Sequence, residues 1–286
     1  MRKSFLLLLS LLLSVLSYGQ DIHKYALTTA NGHLYFNAEV FGEQAEIMVE
    51  SGIPALLIGQ DFYERSMSGS GISVNPPQAK IRLLNNEYQI AYKGAGRITV
   101  GDDIYDGPIF ILKDFDGMSM PIQYLCGSNG NRTVSIDIKN STLSIGGTIQ
   151  NAKEQYKLTF DKKTGFPTVK SKVTIHSGDN EAVLKGYLIV DFGNPMLLFL
   201  MSQNKSVSKA IKSGKIVPMD AKNANGNVIA QGIYGNTVTV CGKEFNDVSL
   251  GLTGRMAAIE QMGFLGIPFF TTPVTFDFST GKLYIQ

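Results

Sequence analysis

Apolar and polar residues alternate over short stretches throughout this chain. Leu34 to Val40, Ile98 to Val100, Val134 to Ile138 and Val238 to Val240 each follow the pattern, and each is bounded by Gly, Asn or Asp. A two-residue period between turn residues predicts many short strands, each with one face buried. Glycine at 30 positions fits that density of turns. Helical periodicity is rare. Ser202 to Lys215 predicts one helix, with Ser202 as N-cap and Gly214 near its end. Gln60 to Met67 predicts a shorter helix in the matching place of an earlier repeat.

That repeat organises the chain. Val49-Glu50-Ser51-Gly52-Ile53-Pro54-Ala55-Leu56-Leu57 aligns with Val190-Asp191-Phe192-Gly193-Asn194-Pro195-Met196-Leu197-Leu198, five of nine positions being identical at an offset of 141. Ile98-Thr99-Val100 matches Val238-Thr239-Val240, and Val134-Ser135-Ile136-Asp137 matches Val274-Thr275-Phe276-Asp277, both at an offset of 140. Leu125-Cys126-Gly127 aligns with Phe264-Leu265-Gly266, and Leu143-Ser144-Ile145 with Leu283-Tyr284-Ile285. A period this long is a duplicated half-domain and not a solenoid. The expected halves are residues 20–150 and 151–286.

The ends and the composition narrow the function classes. Arg2 and Lys3 precede an apolar run from Phe5 to Leu16, and the small residues Ser17 and Gly19 follow. This is the layout of a secretory signal peptide over residues 1–19, so an exported protein is expected, periplasmic or secreted. The run is too short to span a bilayer comfortably. Without Arg2 and Lys3 the formal charge falls from +2 to zero, which removes any general attraction to nucleic acid. Cys126 and Cys241 are too few for a disulfide framework; an oxidising compartment would permit one bridge between them, and their apolar contexts favour two unpaired, buried thiols. His23, His33 and His176 are dispersed, so neither a metal nor another cofactor is expected.

Two acids at equivalent positions of a pseudo-two-fold meet at its axis. Carboxylates about 3 Å apart cannot both ionise and so share one proton. One then activates water while the other protonates a carbonyl oxygen. Gly52 and Gly193 let the backbone turn tightly beside each acid. Here the sequence resembles the pepsin-like aspartic peptidases, whose motif is Asp-Thr/Ser-Gly in each of two lobes. Glu50-Ser51-Gly52 and Asp191-Phe192-Gly193 stand at the motif positions, with Gly127 and Gly266 in the supporting apolar–apolar–Gly blocks. Phe264 to Phe270, Val274 to Phe278 and Lys282 to Ile285 resemble that family's closing strands. Tyr92-Lys93-Gly94-Ala95-Gly96 resembles its flap, the tyrosine- and glycine-bearing hairpin that covers substrate.

The resemblance implies an all-β fold of two pseudo-symmetric, β-barrel-like lobes with a central cleft for an extended peptide or protein segment. A chain that holds both halves needs no partner to complete the site, so a monomer is expected. The chain departs from the pattern at two positions. Glu50 carries one methylene more than the usual aspartate, and Phe192 replaces a hydroxyl residue that would bond to the opposite loop. Two functional readings follow. One is an exported peptidase-like protein that binds extended peptides with catalysis weakened or lost. The other is an active aspartic endopeptidase using a Glu50/Asp191 dyad and a shared water.

Overall fold

The computed structural model describes residues 22–286 apart from 68–72, 76–78, 84–85, 148, 150–151, 223–227 and 255–258. The expected signal sequence lies outside the described residues. Strands dominate, as the two-residue period predicts. In β2 (His33–Val40) the alternation turns Leu34, Phe36, Ala38 and Val40 inward and leaves Asn37 and Glu39 in solvent.

The first lobe opens as a meander of β1 (His23–Ala30), β2 and β3 (Glu43–Glu50). The chain then passes through the first acid loop into β4 (Leu56–Gly59). A later strand, β9 (Met118–Pro121), inserts between β3 and β4, parallel to the first and antiparallel to the second. The second lobe repeats the arrangement. There β13 (Glu154–Phe160), β14 (Pro167–Ser177) and β15 (Asn180–Val190) lead to the second acid loop and β16 (Leu198–Met201), and β20 (Gly263–Leu265) fills the gap between β15 and β16. Each acid loop is therefore held at both ends by strands that share one inserted neighbour. The second lobe's sheet closes on itself, because β18 (Val228–Val240) pairs both with β19 (Lys243–Thr253) and with β14. Its interior is packed with Val, Ile and Leu side chains.

Six strands join the lobes. Their order is β1, β12 (Thr142–Ile145), β11 (Thr133–Asp137), β21 (Val274–Asp277), β22 (Lys282–Ile285) and β13. The seam between the halves is the antiparallel β11–β21 pair. Ser135 lies opposite Thr275 there, their hydroxyls 2.8 Å apart. Asp137 and Asp277 end their strands by accepting backbone N–H bonds from Asn140, and from Ser279 and Thr280. That is the turn-capping role of a short acidic side chain.

Four sequence expectations need correction. The helix expected over 202–215 is the shorter α2 (Lys205–Lys212), after α1 (Gln60–Phe62) and the π-helical turn that follows it. Its cap is Asn204, whose side chain accepts from Ser206 N at 3.0 Å, while Ser202 N donates to Thr253 O. Gly266 opens the 3-10 turn Ile267–Phe269, and the residue in the same place of the first lobe is Pro121, before Ile122–Tyr124. Gly127 lies beyond that turn and donates to Asn131 O, so it supports a loop of its own. The stretch between this turn and β11 is longer in the first lobe, which shifted the sequence alignment. Tyr92 and Gly94 lie within β7 (Asn86–Val100), paired with Ile111 and Ile109 of β8 (Asp103–Leu112). Gly94 is also flanked by Val74, so it is laddered on both sides, while β6 (Ala79–Leu83) pairs antiparallel with the start of β7. Both cysteines are free, but only Cys126 is buried, because Cys241 sits in the β18–β19 turn with φ 48°.

Candidate active site

The two acid loops meet. Ser51 is fully buried and bridges the lobes: its Oγ donates to Val190 O at 2.8 Å and accepts from Phe192 N at 3.0 Å. Phe192 cannot return the link. Its ring is fully buried in the second lobe, stacked on Phe270 at 4.8 Å and edge-on to Phe276 at 5.7 Å. An aromatic side chain here exchanges one cross-lobe hydroxyl bond for aromatic packing within its own lobe.

Each carboxyl group lies against the opposite loop's glycine. A Cβ built on Gly52 would stand 2.5 Å from Asp191 Oδ1, and one on Gly193 would fall on the Glu50 carboxyl. Glycine is required at both places by this close approach of facing groups, not by an unusual backbone angle. The longer Glu50 side chain is thus accommodated: its carboxyl lies against Gly193 as the Asp191 carboxyl lies against Gly52. Asp191 accepts from Gly193 N at 3.0 Å within its own loop.

The two carboxyls are hydrogen bonded to each other, and burial raises the proton affinity of both. Burial pushes Glu50 well above the usual carboxylate range, and the Asp191 charge adds to it. Asp191 is pushed up to about 6, again by burial, against the opposing pull of the Gly193 N–H and the Glu50 hydrogen bond. Glu50 is the more enclosed of the two, and Asp191 is half-buried. The arrangement favours a singly protonated pair with the proton on Glu50.

Sequence reasoning missed the side chains that hold these loops. Gln123, almost fully buried, donates through Nε2 to Ser51 O at 3.4 Å and to Ile53 O at 3.3 Å. Arg132 in turn donates to Gln123 O. Gln123 stands outside both motif blocks, so no repeat signal marks it. Tyr105 OH accepts from Leu56 N at 3.0 Å and donates to Pro108 O at 2.5 Å, fixing the far end of the first loop. A further matched pair ties the lobe-joining sheet to each lobe. Tyr25 OH donates to Asp103 Oδ2 at 2.7 Å, with His23 Nδ1 2.8 Å from Oδ1, and Tyr156 OH donates to Cys241 O at 2.9 Å. These tyrosines were detectable in principle, since each stands in the first strand of its half. Among the described residues no cluster of three His, Cys, Asp or Glu is placed to hold a metal.

Two β-rich lobes, an acid loop in each and the acids paired across the axis define the pepsin-like aspartic-proteinase architecture. The aspartic proteinase from Irpex lacteus is similar at a TM-score of 0.58, over 93% of this chain and 97% of that chain, with 12% sequence identity. At that identity the likeness establishes the fold. No family model and no curated protein matches the sequence.

Proposed function

We propose that this chain is an exported, aspartic-peptidase-like protein that holds extended peptides between its lobes and hydrolyses them weakly. The observation that carries this reading is the buried carboxyl pair, with Glu50 and Asp191 each laid against the other's loop. Export is supported by the signal-like N-terminus, and among the described residues no helix is long and apolar enough to cross a membrane.

In this reading Asp191 is the base and Glu50 the acid. Asp191 takes a proton from a water whose oxygen attacks the scissile carbonyl carbon, while Glu50 protonates the carbonyl oxygen. Collapse of the resulting diol returns a proton to Glu50. It breaks the C–N bond as the amine leaves with the proton held by Asp191. The β6–β7 hairpin, with Tyr92 and Gly94 in its stem, covers the peptide. Hydrolysis is weak because one of the two cross-lobe hydroxyl bonds is missing, and misplacement by about 1 Å costs on the order of 10²-fold.

A second reading, an efficient endopeptidase, is favoured by one observation: Phe192 is packed in its own lobe's core and does not stand between the carboxyls. Digestion of an unfolded protein substrate across acidic to neutral pH separates the two, with Asp191→Asn as control. Slow cleavage that vanishes in the variant supports the first reading, and turnover on the order of 10 per second supports the second. Peptide binding without any cleavage refutes the hydrolytic part of both.

A further inference from the structure

The two halves carry opposite charge. Residues 20–150 contain nine Lys and Arg against fourteen Asp and Glu, a net of −5. Residues 151–286 contain fifteen against ten, a net of +5. The duplication gives both halves the same framework, so the division of charge is a property of their surfaces.

The contrast is sharpest on one matched element. In the first lobe the β2–β3 hairpin shows solvent an outward row that includes Asn37, Glu39, Gln44 and Glu46, with no basic residue on either strand's exposed face after His33. In the second lobe the equivalent β14–β15 hairpin shows Lys170, Lys172, Lys185 and Tyr187, with one acid, Glu181, set against His176 near its turn end. Lys172 and Lys185 are direct cross-strand partners, an arrangement that is self-repulsive unless an anion lies over it. Among the described residues neither has an acidic side chain in salt-bridge range.

Helix α2 lies beside this face, Lys185 N donating to Ser206 Oγ at 3.2 Å, and adds Lys205, Lys209 and Lys212 with no acid. Its first-lobe counterpart, α1 with the turn after it, contributes Asp61 and Glu64 against one base, Arg65, which is paired with Glu43 of β3 at 3.1 Å. The apolar side chains Tyr187 and Val183 stand 44% and 41% exposed among the lysines, and Phe41 stands 37% exposed at the end of the acidic hairpin.

We propose that the β14–β15 face is a docking surface for the β2–β3 face of a second copy of this chain. Both faces are the hairpin that leads into an acid loop, so equivalent elements oppose in charge. The expected mature chain is neutral overall, so two copies approach without net repulsion, and the charge division steers the basic lobe of one toward the acidic lobe of the other. Docking leaves the acid pair untouched, since each copy holds both of its carboxyls. The proposal is independent of any peptide chemistry.

Sedimentation velocity of the mature chain tests it, with circular dichroism confirming that each variant is folded. All four substituted positions are exposed. Wild type should self-associate at low salt and dissociate as salt rises to about 0.5 M, where charges are screened beyond a few ångströms. Lys172→Glu with Lys185→Glu should weaken association by tenfold or more, and so should Glu39→Lys with Glu46→Lys. The decisive arm mixes the two variants in equal amounts. Each alone opposes like with like, whereas together they restore both contacts, so association should return. Wild type monomeric at low salt, or a mixture that stays monomeric, overturns the proposal. So does binding to anionic lipid vesicles that the lysine variant loses while the mixture fails to associate, because the basic face then serves a lipid surface.

Discussion

Replacing Asp191 by asparagine should make the protein more stable at neutral pH while removing its proposed chemistry. The unfolded chain ionises Asp191 at about its ordinary 3.8, and in the folded protein burial pushes the same proton to about 6. Each tenfold displacement of a proton equilibrium is about 1.4 kcal/mol, so the ionised folded state bears a cost of about 3 kcal/mol. The sign follows from the raised folded value. The stability is fully present below about pH 4, declines as the unfolded chain ionises, and is gone once pH exceeds about 6. Asparagine mimics the protonated acid at every pH. Its oxygen can still accept from Gly193 N, and its amide can donate to Glu50. The gain should therefore be near zero at pH 4 and rise to about 3 kcal/mol above pH 6, roughly 6–12 °C in melting temperature for a chain of this size. Differential scanning calorimetry of both proteins at pH 4, 6 and 8 measures it. An equal increment at pH 4 and 8, or a lower melting temperature for the variant at pH 8, refutes the picture of a buried, proton-sharing pair.

Gly193→Ala places a methyl group on the Glu50 carboxyl, so it should cost about 1–3 kcal/mol in urea unfolding and abolish any peptide cleavage. Phe192→Ala leaves a void beside Phe270 and Phe276 and should cost about 3–5 kcal/mol by the same measurement. Glu50→Asp withdraws the carboxyl from Gly193. It should not raise cleavage rates by itself, because the second cross-lobe hydroxyl is still missing; a rate above wild type would show that acid length alone was limiting. Any cleavage should strengthen as pH rises through about 6, where Asp191 becomes the ionised partner, and an optimum near pH 3 in a peptide assay would contradict that assignment.

The pairing of Glu50 with Asp191 was legible because both acids stand in one conserved-offset block, and a duplicated framework turns equal sequence position into facing spatial position. The alternation of Leu34, Phe36, Ala38 and Val40 likewise fixed which face of β2 is buried. What the pattern could not carry was the exchange of partners at a distance. Phe192 was visible as a missing hydroxyl, but its ring's destination depends on Phe270 and Phe276, about eighty residues later. Gln123 acts through two backbone carbonyls, which any sequence would present. Lys93-Gly94-Ala95-Gly96 suggested a hairpin turn because glycines permit one, yet the strands on either side hold this stretch extended. Two facing acids alone suggest a low optimum, and the depth of their burial raises it.

The seam between the halves has a consequence for how the chain is assembled. Among the described residues, the registers between strands stay within one half except that of β11 with β21. Neither half lends a strand to complete the other's lobe. The covalent link between Ile145 and Glu154 is therefore not what keeps the halves in register. That task falls to four ladder positions centred on Ser135 and Thr275, together with the Ser51 bridge. The contacts that would have to re-form between two separate half-chains are those at this seam, among them Phe278 N donating to Arg132 O. The protein is thus organised as a heterodimer written on a single chain, its two subunits meeting at one ladder and one carboxyl pair.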